Sequence, residues 1–218
     1  MLRLVAANLN YSSWSVRAWL ALKQAGADFR LHDVGLKTQA DWKDRILAFS
    51  GAGKVPVLVD GSLSVHESLA ICEYVAELYP QAALWPADAK LRARGRAISC
   101  EMLSGFSQLR SRMPMNLRGR AERTPESPAL AAEIARVHDI WQASLDSSGG
   151  PFLLGAFSIA DCMYFPVAVR FRCYGVPLQG ALLAYSQALF SRPHALELEH
   201  IAQGTPAIAE YDAALSGA

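Results

Sequence analysis

Residues 53–71 read GKVPVLVDGSLSVHESLAI, and the order of elements in the first part of the chain follows from them. Val57, Leu58 and Val59 run into Asp60-Gly61, a strong signal for the tight turn that joins antiparallel strands, and Leu63 and Val65 supply the return strand. Ser68 to Tyr79 then reads as a helix closed by Pro80. Upstream, Leu2, Leu4 and Ala6 line one face of a short strand, and Asn8 to Ser13 are mostly turn formers. From Trp14 to Gln24 the apolar residues Val16, Trp19, Leu20 and Leu22 fall near helical spacing, with Gly26 as a C-terminal stop. Phe29, Leu31 and Val34 suggest a second strand, and Asp41 to Phe49 a short helix ending before Gly51 and Gly53.

The first 80 residues therefore predict βαβαββα, a parallel pair followed by an antiparallel hairpin, which is the thioredoxin-like order. Beyond them a short connection, residues 81–89 with Pro86 inside, leads to a region without a convincing strand pattern. From residue 90 to 218 the chain reads as all-helical. Breaks near Pro114 to Pro128, Gly149 to Pro151, Gly175 to Pro177 and Arg192-Pro193 predict four or five helices packed as a bundle. The expected fold is α/β plus all-α, with domains at 1–80 and 90–218.

A chain of 218 residues, 52% hydrophobic, is ample for at least one buried core. Its 21 basic and 20 acidic residues leave a formal charge of +1, so no global field would draw it to nucleic acid or an anionic membrane. Apolar runs fall well short of the ~20 residues a membrane helix needs. The start, Met1 to Ala7, carries Arg3 and soon reaches Asn8 and Asn10, unlike a secretory signal. Cys72, Cys100, Cys162 and Cys173 lie far apart and form neither a CxxC pair nor a cluster with metal-ligand spacing. Free thiols and a cytoplasmic location are expected.

Three stretches could carry chemistry. The serines of Tyr11-Ser12-Ser13-Trp14-Ser15-Val16-Arg17 stand where a strand hands over to a helix. They suit either N-capping or an anion site, because a helix N-terminus beside a hydroxyl attracts a thiolate or carboxylate. In Gly53-Lys54-Val55-Pro56-Val57-Leu58 the proline is either a plain strand start or a cis peptide displaying the Val55 backbone to a ligand. In Val65-His66-Glu67-Ser68-Leu69-Ala70-Ile71, Glu67 and Ser68 either cap the next helix or hold the two charged ends of an amino acid. In the second case Glu67 takes the ammonium, and the Ser68 hydroxyl and nearby amides take the carboxylate.

Together, in this order, these stretches resemble the glutathione transferase family over nearly the whole chain. SSWSVR resembles the SSCSWR of its serine-type, zeta-like class, KVPVL the cis-proline segment, and HESLAI the γ-glutamyl-binding segment. The resemblance implies glutathione as co-substrate, a small electrophile as second substrate, and a homodimer without nucleic-acid or membrane partners. It implies that Ser12 bonds the glutathione sulfur, with Ser13 and Ser15 as substitutes. Val55, before Pro56, would pair its backbone with the cysteinyl part, Glu67 and Ser68 would hold the γ-glutamyl end, and Lys54 would approach the glycyl carboxylate. A glutathione-dependent isomerase of the maleylacetoacetate type and a non-catalytic binding scaffold are the alternatives. Trp14 replaces the cysteine of the zeta pattern and Trp19 its second arginine, which counts against the isomerase, although Arg17 is kept. No cysteine stands at the Ser12 position, which disfavours thiol reductase chemistry.

Three further expectations concern the second half. Ser158 and Asp161 match the family's SxAD signature and the spacing of a capping box, a folding role. Arg110, Arg112, Arg118, Arg120 and Arg123, with Glu122 among them, read as a solvated surface or as an attractor of an anionic second substrate. Met102, Phe106 and Met113 read as helix core or as pocket lining.

Overall fold

A computed structural model describes residues 1–35, 39–121 and 126–216. Strand β1 (Leu2–Ala6) leads to helix α1 (Ser13–Gln24), then β2 (Phe29–Asp33), α2 (Trp42–Leu47), β3 (Val57–Asp60), β4 (Leu63–His66) and α3 (Ser68–Leu78). The sheet order is β2-β1-β3-β4. β1 and β2 are parallel with Leu4 opposite Leu31, whereas β3 is antiparallel to both β1 and β4. Asp60 pairs with Leu63, so Gly61-Ser62 is the two-residue hairpin loop, with Gly61 at φ 56°. This is the βαβαββα order predicted from the sequence.

Strand alternation sorts the sheet's two faces. Leu2, Leu4, Ala6 and Leu58 point into the main core against α1 and α3, while Val5 and Val57 meet Val34 and Ile46 in a smaller cluster under α2. The sheet is therefore covered on both sides, and the C-terminal end of β1 is left to feed the turn that starts α1.

Among the described residues seven α-helices follow: α4 (Ala89–Ser104), α5 (Ser107–Arg112), α6 (Pro128–Ser148), α7 (Ile159–Tyr174), α8 (Gly180–Phe190), α9 (Pro193–Gly204) and α10 (Ala209–Ala213). The expected breaks appear, with Gly149 and Gly175 in the left-handed conformation after α6 and α7, and Pro193 opening α9. Four or five helices were expected, and the excess has local causes. Gly105 and the left-handed Phe106, at φ 60°, separate α5 from α4, and Pro206 lies in the turn between α9 and α10.

Helix α7 is the axis of the molecule. All its residues except Arg172 are buried, and it packs on α1, α3, α4 and α8. Its start is held by Asp161, whose carboxylate accepts from Ser158 N–H (2.8 Å), Ser158 Oγ (2.9 Å), Leu153 N–H (3.1 Å) and the Tyr185 hydroxyl (3.1 Å). The capping box expected from Ser158 and Asp161 is present. Burial pushes the Asp161 carboxyl up to about 6, while the four donors favour its ionised form. Among the described residues, no helix is long and apolar enough to cross a membrane.

Candidate active site

A cleft of about 780 Å³ opens where the start of α1, the loop before β3 and the β4–α3 junction converge with α4, α5 and the segment before α10. Ser12 reaches it because of the turn before α1. Asn8 O accepts from both Tyr11 N–H (3.1 Å) and Ser12 N–H (2.9 Å), and Asn8 Oδ1 accepts from Asn10 N–H (3.0 Å). Ser12 is the N-cap of α1, with its Oγ accepting from Ser15 N–H at 3.3 Å. The first turn of α1 holds no acidic residue, so the positive end of the helix is not neutralised.

The three candidate serines part company here. Ser12 and Ser13 line the cleft, and Ser15 lies behind them, fully buried. Ser13 Oγ accepts a long bond, 3.4 Å, from the buried Arg170 guanidinium. Lys54, Val55, Pro56, Glu67 and Ser68 also line the cleft, and the Val55-Pro56 peptide is cis.

Glu67 is both a cleft residue and a helix cap. Its carboxylate accepts from Ser68 N–H (2.7 Å), Ser68 Oγ (3.0 Å) and Leu69 N–H (2.9 Å), and its φ of 78° is unusual for a residue other than glycine. The capping alternative is thus realised. It leaves the carboxylate on the cleft wall with lone pairs for a cation.

Several cleft residues escaped the sequence reading. Tyr11 lines the wall, but its hydroxyl is committed: it donates to Asp212 Oδ1 (2.8 Å) and accepts from Ile208 N–H (3.1 Å) and Arg118 Nη2 (3.2 Å). Leu103, Pro114, Met115, Ile208 and Tyr211 supply apolar wall. Met102, Phe106 and Met113, weighed as lining or core, are buried in the core. Of the basic run, Arg112 and Arg120 are exposed as expected, whereas Arg118 bonds the Ala202 (3.1 Å) and Thr205 (2.7 Å) carbonyls. Arg123 and Glu122 lie outside the described residues.

Arg110 departs from the solvated reading. It donates to the Met102, Leu103 and Gly105 carbonyls that end α4, and it lines the cleft beside Arg170. Two guanidinium groups approach the Trp14 ring, Arg17 at 4.5 Å and Arg110 at 4.7 Å from its centre. Burial, with repulsion from Arg110, lowers Arg170 to about 10, and burial with repulsion from both lowers Arg17 to about 9. The wall is cationic and partly dry.

Residues 11–78 match the glutathione S-transferase N-terminal domain family. A probable maleylacetoacetate isomerase of Caenorhabditis elegans is 36% identical over 110 residues, half of each chain. Glutathione S-transferase omega-2 of Mus musculus is 28% identical over 78% of this chain and 66% of its own length. The chain thus spans half to two thirds of these curated relatives. Among solved structures, a glutathione transferase homologue from Burkholderia gl BGR1 with bound glutathione superposes with a TM-score of 0.74 at 24% identity, covering 94% of this chain and 99% of that one. A theta class glutathione S-transferase from Xanthomonas axonopodis pv. citri, also with glutathione bound, gives 0.66 at 23%, over 94% and 98%. At these identities the superpositions carry the fold.

Proposed function

We propose that the chain is a glutathione transferase, an enzyme that binds glutathione in this cleft and holds its sulfur as the thiolate through the Ser12 hydroxyl. The observation that carries the proposal is that one cleft gathers Ser12 at the un-neutralised start of α1, the Val55-Pro56 peptide and the Glu67-Ser68 pair. Glu67 takes the γ-glutamyl ammonium, the Ser68 hydroxyl and amide take its carboxylate, Val55 pairs with the cysteinyl backbone, and Lys54 meets the glycyl carboxylate. The Ser68 hydroxyl and amide given this role also bond the Glu67 carboxylate.

The energetics are sufficient. A free thiol titrates near ~8.5, and lowering it by ~2 units needs ~2.7 kcal/mol of selective thiolate stabilisation. A hydrogen bond to the charged sulfur supplies ~1.5 to 3 kcal/mol and the helix end ~0.3 to 1. Tyr11 is not needed and is already engaged. The thiolate attacks an electrophilic carbon held by the apolar wall of the helical part, a reaction that gains from nucleophile activation and proximity. We assign residues 1–80 to glutathione binding and 90–218 to the electrophile, and we propose a homodimer in the cytoplasm.

The isomerase reading is favoured by one observation, the cationic wall of Arg110 and Arg170, which suits an unsaturated acid to which the thiolate adds before being expelled. Calorimetry with glutathione, followed by turnover on aryl halides, epoxides, peroxides and unsaturated acids, tests both readings. A protein that does not bind glutathione would be a scaffold. Turnover confined to unsaturated acids would assign it as an isomerase.

A further inference from the structure

Ser15 has no place on the cleft wall, yet its hydroxyl is wired to it. The Ser15 side chain is fully buried, and its oxygen accepts the Ala7 N–H, just past β1, at 3.2 Å. The Ser12 and Ser15 hydroxyl oxygens stand 2.9 Å apart. A serine hydroxyl has one proton to give and two lone pairs, and either oxygen of such a pair can be the donor.

Proton accounting selects the direction. Ser12 Oγ accepts Ser15 N–H and borders the cleft, so its own proton can go to a ligand or to water. Ser15 Oγ makes no other hydrogen bond among the described residues, so its proton has Ser12 Oγ as its one acceptor. If Ser12 donated inward, the Ser15 proton would be stranded in a dry interior, a costly arrangement. The favoured chain runs from Ala7 N–H to Ser15 Oγ, from Ser15 O–H to Ser12 Oγ, and from Ser12 O–H into the cleft. Successive bonds in such a chain polarise one another.

We propose that Ser15 is a positioning residue for the thiolate: it turns the Ser12 proton outward to the glutathione sulfur and strengthens Ser12 as a donor. The proposal rests on Ser12 being the thiolate's ligand.

The test is ultraviolet titration of glutathione bound to the full chain, for the protein itself, Ser15→Ala, Ser12→Ala and the double variant. Ser15→Ala raises the bound thiol pKa by about half to one unit, roughly 3- to 10-fold less thiolate near neutral pH, because Ser12 loses its orientation and polarisation. In the Ser12→Ala background the same change moves nothing further. Ser15→Thr, which keeps the hydroxyl, restores the titration. Should Ser15→Ala not fold, Ser15→Cys, a weaker donor of similar size, produces the same upward shift. An unmoved titration in Ser15→Ala, or an equal shift with and without Ser12, overturns the proposal while leaving Ser12 in its role. A silent Ser12→Ala overturns the proposal together with the reading it rests on.

Discussion

Replacing Glu67 by glycine separates its capping of α3 from its proposed hold on the glutathione ammonium. The carboxylate caps α3 through two amides and the Ser68 hydroxyl, and losing an N-cap costs about 0.5 to 2 kcal/mol. Its φ of 78°, however, is a conformation that glycine adopts without penalty and other residues hold at a cost of about 1 to 3 kcal/mol. The two changes in Glu67→Gly therefore nearly cancel, and at ~2–4 °C per kcal/mol the melting temperature stays within about 4 °C of the parent. Glutathione binding has no such offset. In the proposed role the contact with the ammonium is charge-assisted and exists only with ligand, so its loss of about 1.5 to 3 kcal/mol weakens Kd roughly 10- to 150-fold. Glu67→Gln keeps an oxygen for the cap but not the charge, and loses a similar factor in affinity. Thermal melts and calorimetric titration with glutathione read the two quantities separately. A Kd within twofold of the parent in both variants would refute the ammonium role and leave Glu67 as a cap alone.

Other perturbations follow from the same geometry. Tyr11→Phe leaves the pKa of the bound thiol unmoved but lowers the melting temperature, because Asp212 and Ile208 N–H lose their shared partner; a shifted titration would make Tyr11 the sulfur ligand. Asp161→Ala strips four donors of their acceptor inside the protein and costs about 3 to 5 kcal/mol, read as a fall of roughly 10 °C in melting temperature; a loss under 2 °C would show that the capping box holds nothing. The Asp161 carboxyl titrates at about 6 in the folded chain against 3.8 when free, so the native state binds more protons between those values. The stability the protein holds over Asp161→Asn should therefore shrink as pH rises from 3.8 to about 6, and a difference that grows over that range would contradict the burial argument. Arg110→Gln, if the cleft takes carboxylate-bearing electrophiles, lowers kcat/KM for unsaturated acids roughly 10- to 150-fold while sparing a neutral aryl halide; equal losses on both would assign Arg110 to holding α4.

What was legible in the sequence follows the range of the forces involved. The βαβαββα order could be read because each strand and helix carries its own period and stop, and Leu2, Leu4 and Ala6 do share a core face. The capping box of Ser158 and Asp161 was readable for the same reason, being complete within four residues. The Gly105-Phe106 break was missed because the helical pattern runs through it, and only the positive φ of Phe106 reveals it. The serine run announced the site but not which serine faces it: Ser12 borders the cleft half-buried, while Ser15 is buried against Ala7 N–H, eight positions away. The hold on Tyr11 was out of reach: its partners, Asp212 and Ile208, are about 200 positions away in sequence. The adjacency of a tyrosine to the serine run was the one available hint. Arg170 reaches the cleft from the middle of α7, where the sequence gives no sign of which way it points.

The central claim, that Ser12 holds the glutathione sulfur as a thiolate, is tested most directly by the ultraviolet absorbance of bound glutathione as pH is varied, in the protein and in Ser12→Ala. Glutathione is expected to stay bound in the variant, because its proposed anchors are Glu67, Ser68, Lys54 and the Val55 backbone. The fold loses only the N-cap of α1, about 1 kcal/mol. Losing a bond worth ~1.5 to 3 kcal/mol to the charged sulfur raises the bound thiol pKa by ~1 to 2 units and cuts the thiolate near neutral pH about 10- to 100-fold. Ser13→Ala leaves the curve in place. A curve unmoved by Ser12→Ala, or one moved by Ser13→Ala instead, contradicts the account.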